Sequence, residues 1–193
     1  MIRTTPFSHR FLTGLLILAA VFALAGCDNG AAPNYERLFS NFDPTLKAQI
    51  LTDENLALSG GSWVAATGKF TSKGLLEQGV TENVIQMAFF SAGGEDTVYG
   101  FSHTVIKFED GIVKTQDVRY TGNLDPETNE ISGVAVIHAE VVCPTSSEND
   151  GCKGTTMDYE DFWTAAWDGK KTIAGELASP LIPNLWAFEL KVK

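Results

Sequence analysis

Two histidines and a carboxylate are the first side chains to weigh for chemistry. His103 and His138, with Glu140 two residues after the second, have the residue types of a two-histidine, one-carboxylate metal set. The set forms only if separate strands bring all three to one height around a shared interior. Packed or solvated histidines are the simpler reading of two imidazoles embedded in β sequence, so no metal is assigned. Paired carboxylates occur at Asp158, Glu160 and Asp161, after Glu148 and Asp150. Asp158 and Glu160 fall on one strand face and Asp161 on the other. Asn149-Asp150-Gly151 is only a fragment of a calcium loop, and a solvated acidic hairpin end fits this segment better. There is no Gly-x-Ser-x-Gly, no phosphate-cradling glycine loop and no dinucleotide fingerprint. The residues therefore nominate no catalytic group and no cofactor. An enzyme around His103 and His138 is the least supported reading.

The aromatic residues offer binding instead. Trp163 and Trp167 share a strand face with Tyr159 and Ala165, and Trp63 and Trp186 lie in other strands. Such side chains fill a core, or floor a pocket for an apolar ligand. Trp63, Tyr159, Trp163, Trp167 and Trp186 are the ligand-binding candidates.

Residues 1–26 have the three parts of a secretory signal. Arg3, His9 and Arg10 give a positive start, Phe11 to Leu24 an apolar run, and small residues close it. A membrane-spanning helix needs about 20 apolar residues; this run is shorter and is followed by Asp28, Asn29 and Gly30. Leu24-Ala25-Gly26-Cys27 resembles the lipobox of bacterial lipoproteins. The resemblance implies that Cys27 becomes the acylated N-terminus of a protein held on the cell envelope, facing the periplasm. Each buried methylene contributes about 0.8 kcal/mol, so two or three palmitate-length chains make a stable anchor where one does not. Asp28 resembles the signal that retains such proteins at the inner membrane.

An exported chain changes the reading of the other two cysteines. Cys143 and Cys152 form an even pair and predict one disulfide around a polar loop. Closing a ring of about ten residues contributes roughly 2.5–3 kcal/mol in the chain-entropy picture. The whole sequence has a formal charge of −10, and loss of Arg3 and Arg10 with the leader makes the mature chain more acidic still. That excludes a nucleic-acid partner and direct electrostatic contact with anionic lipid headgroups, both of which need basic patches.

These candidates depend on what carries them. Residues 27–34 read as a lipidated tether. Residues 35–58 read as two short helices packed on or plugging a larger body, with Leu38, Phe39 and Phe42, then Leu46, Ile50 and Leu51, on apolar faces. Asp43-Pro44 reads as an N-cap followed by proline at the first helical position. From residue 59 to 193 the period becomes two. Eight strands are expected: Trp63–Thr71, Asn83–Ala92, Thr97–Phe108, Ile112–Thr121, Ile131–Cys143, Tyr159–Trp167, Lys171–Leu177 and Leu185–Val192. Asp110-Gly111 and Asp168-Gly169 are hairpin signals. Ile112, Lys114, Gln116, Val118 and Tyr120 share one face. The second and fifth strands are apolar on both faces, so helices cover them or they line a cavity.

Eight consecutive strands predict an all-β antiparallel meander, closed as a barrel or arranged as a β-sandwich or half-barrel. Gly61-Ser62-Trp63 stands where the calycin group, the lipocalins and avidins, places Gly-x-Trp. That resemblance, which covers the strand count and one tripeptide, implies a closed barrel holding one small ligand. It also implies a basic residue of the last strand, Lys191 or Lys193, over the tryptophan. The expected function is that of a lipid-anchored binding or accessory protein, holding a small apolar ligand or an exported protein partner; a purely structural or assembly role is the alternative. Cys27→Ser is expected to release a folded domain into the soluble fraction of lysed cells. Immunoblotting of membrane and soluble fractions checks this, and a variant that stays wholly with membranes contradicts the anchor.

Overall fold

The computed structural model describes residues 34–53, 61–92, 96–144, 152–168, 170–178 and 186–193. The leader, Cys27 and Asp28 lie outside the described residues. Helix α1 is Tyr35–Leu38, with the Asn34 side chain accepting from Arg37 N at 3.0 Å. Helix α2 is Pro44–Leu51. Asp43 caps it as expected, its Oδ1 accepting from Thr45 N at 2.8 Å, and Pro44 opens it. A third single turn, α3 at Lys73–Leu76, has no counterpart among the expected elements; it joins the first two strands and buries Leu75.

The strands are β1 Gly61–Phe70, β2 Val80–Ala92, β3 Thr97–Phe108, β4 Val113–Asp125, β5 Glu130–Val142, β6 Thr155–Trp167, β7 Thr172–Ala178 and β8 Trp186–Val192. They pair antiparallel in chain order, and β8 returns to β1 to close a barrel. Closure decides between the barrel and the open or two-sheet alternatives. The largest shifts of boundary are at β4, β6 and the start of β2, which run longer than their apolar alternation. The cause at β4 and β5 is pairing that continues to Asp125↔Glu130. The connection left between the expected strands, residues 122–130, shrinks to a turn in which Asp125 accepts from Glu127 N at 2.8 Å and Asn129 adopts φ 59°.

Two apolar cores result, one on each side of the wall. The inner core fills the barrel with Ile85, Met87, Phe89, Ile137, Trp163 and Leu190, among others. Phe89 stacks on Trp163 at 6.1 Å and Tyr120 meets the same indole edge-on at 5.0 Å. Gly122 gives that indole room: a Cβ there would lie 3.1 Å from Trp163 Cζ2. Gly133, opposite it on β5, lets the two strands approach, since a Cβ on it would lie 1.9 Å from the Thr121 carbonyl oxygen. The outer core lies between α1, α2 and the outside of β1–β3. Phe39, Phe42, Leu46 and Ile50 pack there on Trp63, Ala88, Phe90 and Phe101.

The helices thus pack on the barrel and do not plug it. They cover the outer apolar face of β2, one of the two arrangements expected for it. They leave the outer face of β5 uncovered: Val134 and Val136 are exposed. The disulfide Cys143–Cys152 is present, with Cα atoms 6.0 Å apart. Phe39 is fully buried at the centre of the outer core. Phe39→Ala is therefore expected to cost about 3–5 kcal/mol and to expose Trp63. Urea unfolding followed by tryptophan emission checks both.

Candidate functional site

Alternation along the strands sorts the candidate residues into three places. Tyr159, Trp163, Trp167 and Trp186 belong to the inner core or pack against it. Trp63 does not: it points outward into the helix layer, 1 % exposed, ringed by Phe39, Phe90, Tyr99 and Phe101 at 5.5–6.4 Å. Its indole N–H has no hydrogen-bond acceptor among the described residues. The basic residue expected over Trp63 is elsewhere. Lys193 lies over Phe42 at 5.2 Å, and Lys191 donates to Thr172 Oγ1. The aromatic rings already covering Trp63 occupy that position.

The inner wall is not uniformly apolar. Ser102, Thr104, Gln116 and Asp161 are buried within it. Ser102 Oγ and Tyr120 Oη share a hydrogen bond at 3.1 Å, and Gln116 Nε2 donates to Tyr159 Oη at 3.0 Å. Lys114, two residues before Gln116 on the same face of β4, also turns inward. Its ammonium lies 4.4 Å above the Trp186 ring, and Trp186 meets Phe70 edge-on at 5.2 Å. Burial lowers the Lys114 pKa from the ordinary lysine value, and the Asp161 carboxylate pulls it partly back up. Burial also raises Tyr159.

This polar and aromatic set lies toward the end of the barrel that carries α3 and the disulfide. That end is open. Along the inward face of β6, Asp161, Trp163 and Ala165 are buried, whereas Tyr159 is half-buried and Met157 is 43 % exposed. The barrel is solid through its middle, where Phe89, Tyr120 and Trp163 meet. Toward this one end the filling includes a polar and aromatic set, Lys114, Gln116, Tyr159, Asp161 and Trp186. Lys114 and Gln116 are not among the site residues expected from the sequence, although it groups both on one strand face with Val118 and Tyr120. Their polarity on an otherwise apolar face was the available signal.

The histidines are outside. One lateral row on the outer wall reads His103, Asp117, His138, Asp158 across β3 to β6. His103 Nδ1 pairs with Asp117 at 2.8 Å and His138 Nδ1 with Asp158 at 2.7 Å. The two imidazoles therefore do not meet across an interior, and Glu140 sits in the next row, opposite Thr115. Among the described residues no group of three or more His, Cys, Asp or Glu side chains is placed to hold a metal ion. His103 borders a hollow of about 290 Å³ with Phe42, Asp43, Glu82 and Gln86. Its lining offers no hydroxyl or thiol for the His103–Asp117 pair to activate. His103 acts as a pin: its Nε2 is 3.8 Å from Asp43, the residue capping α2, and Asp43 N donates to Gln86 Oε1 at 2.6 Å.

Two further outer features remain. A groove of about 720 Å³ crosses β4–β8, with small residues such as Thr164 and Ala174 on its floor and Glu130, Glu176 and Glu189 at its rim. Across β5 and β6, Val134 faces Phe162 directly and Val136 lies in the next row, between Arg119 and Glu160. Phe162 is 65 % exposed. No protein-family model matches the chain, and no curated protein and no solved structure matches it either.

The pin makes the helix layer pH-dependent. The His103 pKa is raised above 6.5, first by the hydrogen bond to Asp117, then by Asp43; burial opposes them. A raised folded pKa means stabilisation that is complete below the unfolded value and lost as pH rises through the folded value. Protection of α2 amides from hydrogen exchange is expected to fall with rising pH over the window that opens above 6.5, the ordinary histidine value. In His103→Gln the exchange protection of α2 should no longer follow pH there. Wild-type protection that is flat over the window contradicts the pin.

Proposed function

We propose that this chain is a non-enzymatic binding protein of the cell envelope, anchored through acylated Cys27, that holds a small and largely apolar ligand in the open end of its barrel. The observation that carries this reading is the polar and aromatic set inside one end of the closed barrel. A closed barrel needs no lysine, aspartate, glutamine or tyrosine hydroxyl inside it. Burying them costs desolvation that apolar side chains at the same positions would avoid. Lys114, Gln116, Tyr159 and Asp161 stand toward one end, beside Trp186 and Phe70. The leader and the lipobox resemblance support the anchor and a periplasmic face, and Asp28 supports retention at the inner membrane.

A second reading rests on a separate observation. Val134, Val136 and Phe162 form a contiguous exposed apolar patch on a wall that none of the described helices covers, the kind of surface that marks a protein contact. It favours an accessory role toward another exported protein.

One experiment separates the two. The full-length protein is purified from its own membranes in mild detergent and examined by native mass spectrometry, and a photo-crosslinking residue is placed at 162 in cells. The ligand reading expects a bound small molecule that is lost in Trp186→Ala. The accessory reading expects no bound mass and a discrete crosslinked adduct. An empty barrel, together with no tryptophan quenching by extracted envelope lipids, overturns the ligand reading.

A further inference from the structure

We propose that the exposed apolar face of β5 and β6 is a contact between two copies of this chain, paired about a two-fold axis that runs along β5. This goes beyond the ligand reading, and it gives the apolar patch a different occupant from the accessory reading. Two lateral rows of the outer wall carry it. One reads Arg119, Val136, Glu160 across β4, β5 and β6, and the next reads Thr121, Val134, Phe162. All six residues are exposed, Val136 at 48 % and Phe162 at 65 %. A cation and an anion thus flank a central valine, one strand away on each side. Neither Arg119 nor Glu160 enters an ion pair among the described residues. The guanidinium lies over the Phe101 ring at 5.8 Å, a contact that leaves its in-plane N–H donors available.

A two-fold axis in the plane of contact and parallel to β5 reverses the order of the strands and keeps each row at its own height. Every row then meets the same row of the other copy. Val134 and Val136 fall on themselves, Arg119 falls on the partner's Glu160 and Glu160 on the partner's Arg119, and each Phe162 ring covers the partner's Thr121. A surface that supplies its own complement meets the requirement of an isologous interface. Walls facing along aligned strands also match the way sheets stack. The row after Val136 bounds the contact: Asp117 and Asp158 flank His138, so the same axis sets carboxylate against carboxylate there. On the other side Asn123, Ser132 and Thr164 carry no charge. The carboxylates of the bounding row, with Glu140 beyond it, make this wall a poor match for an anionic lipid surface. A patch of this size is small beside the about 1,200–2,000 Å² of a stable complex, so the dimer is weak in free solution. The acidity of the chain opposes it further, but is screened beyond about 8 Å at physiological salt. Anchoring through Cys27 would supply the local concentration that a weak contact needs.

Charge reversal tests this register. Sedimentation velocity of the full-length protein in mild detergent is expected to show a monomer–dimer equilibrium that follows protein concentration. Arg119→Glu and Glu160→Arg each set like charges face to face at both positions, and each should weaken the dimer about tenfold or more. Mixed in equal amounts, the two variants again oppose unlike charges at both positions, so the mixed dimer should recover the wild-type affinity. Misfolding of either variant cannot produce that recovery. In cells, a photo-crosslinking residue at 136, beside the axis, should join two differently tagged copies of the chain. A wild-type protein that stays monomeric and gives no adduct between the tagged copies overturns the dimer. A crosslink to a different protein also overturns it and favours the accessory reading, and a crosslink within one chain overturns it by giving the patch to a segment of that same chain. A dimer whose affinity ignores both reversals overturns this interface. The ligand reading stands or falls separately, on whether the purified barrel carries a bound mass.

Discussion

Barrel closure is the constraint on which the other features depend. The last strand, β8, must reach the first and pair from Ala66↔Val192 to Phe70↔Phe188. Two bonds extend the seam past the strand ends: Thr71 N to Ala187 O at 2.7 Å, and Lys193 N to Ala65 O at 3.0 Å. Gly68 makes the approach possible, because a Cβ there would fall 1.8 Å from the Glu189 carbonyl oxygen. Without closure, β1 and β8 would be open edges, which a sheet must otherwise protect from aggregation. With it, every strand acquires an inside and an outside. Each side chain's burial then follows from the parity of its position.

Parity explains why two separate cores exist and why the tryptophans part company. Trp63 is odd-numbered on a strand whose even positions, Ala66 and Phe70, line the interior. It can only face out, and the helices supply the cover that an outward tryptophan needs. The arrangement splits apolar burial between a barrel filling and an external layer, which are joined through the wall. The external layer is tied to the barrel by polar pins, His103 to Asp43 and Gln86 to Asp43. A layer held in this way responds to pH, whereas the hydrocarbon filling does not.

The same parity divides the polar residues into structural and spare. Outside, His103, Asp117, His138 and Asp158 form ion pairs along one row, an ordinary use of a wet sheet face. Inside, Lys114, Gln116, Tyr159 and Asp161 occupy positions where hydrocarbon would be more stabilising, toward one end of the barrel. The uncovered apolar face of β5 and β6 is a second departure from the simplest fold. Together these two places are where the sequence spends stability on something other than folding.

Much of the architecture is legible in the amino-acid sequence. The strand count, the all-β class, the Asp43-Pro44 helix start, the cysteine pair and the shared face of Lys114, Gln116, Val118 and Tyr120 in β4 all follow from local signals. Period-two alternation, capping chemistry and turn residues act over a few residues, so a linear reading detects them. Three matters lie beyond it. Closure over sandwich depends on whether strands far apart in sequence meet. The side of the wall on which Trp63 and the histidines fall depends on how each strand's parity is aligned with its neighbours. The meeting of Lys114 of β4 with Trp186 of β8, and of Gln116 of β4 with Tyr159 of β6, joins positions far apart along the chain. The sequence by itself determined which residues alternate and where the chain turns. Only the tertiary structure decided which face became the interior, because that choice is made by strand register around a closed ring and not by any single strand.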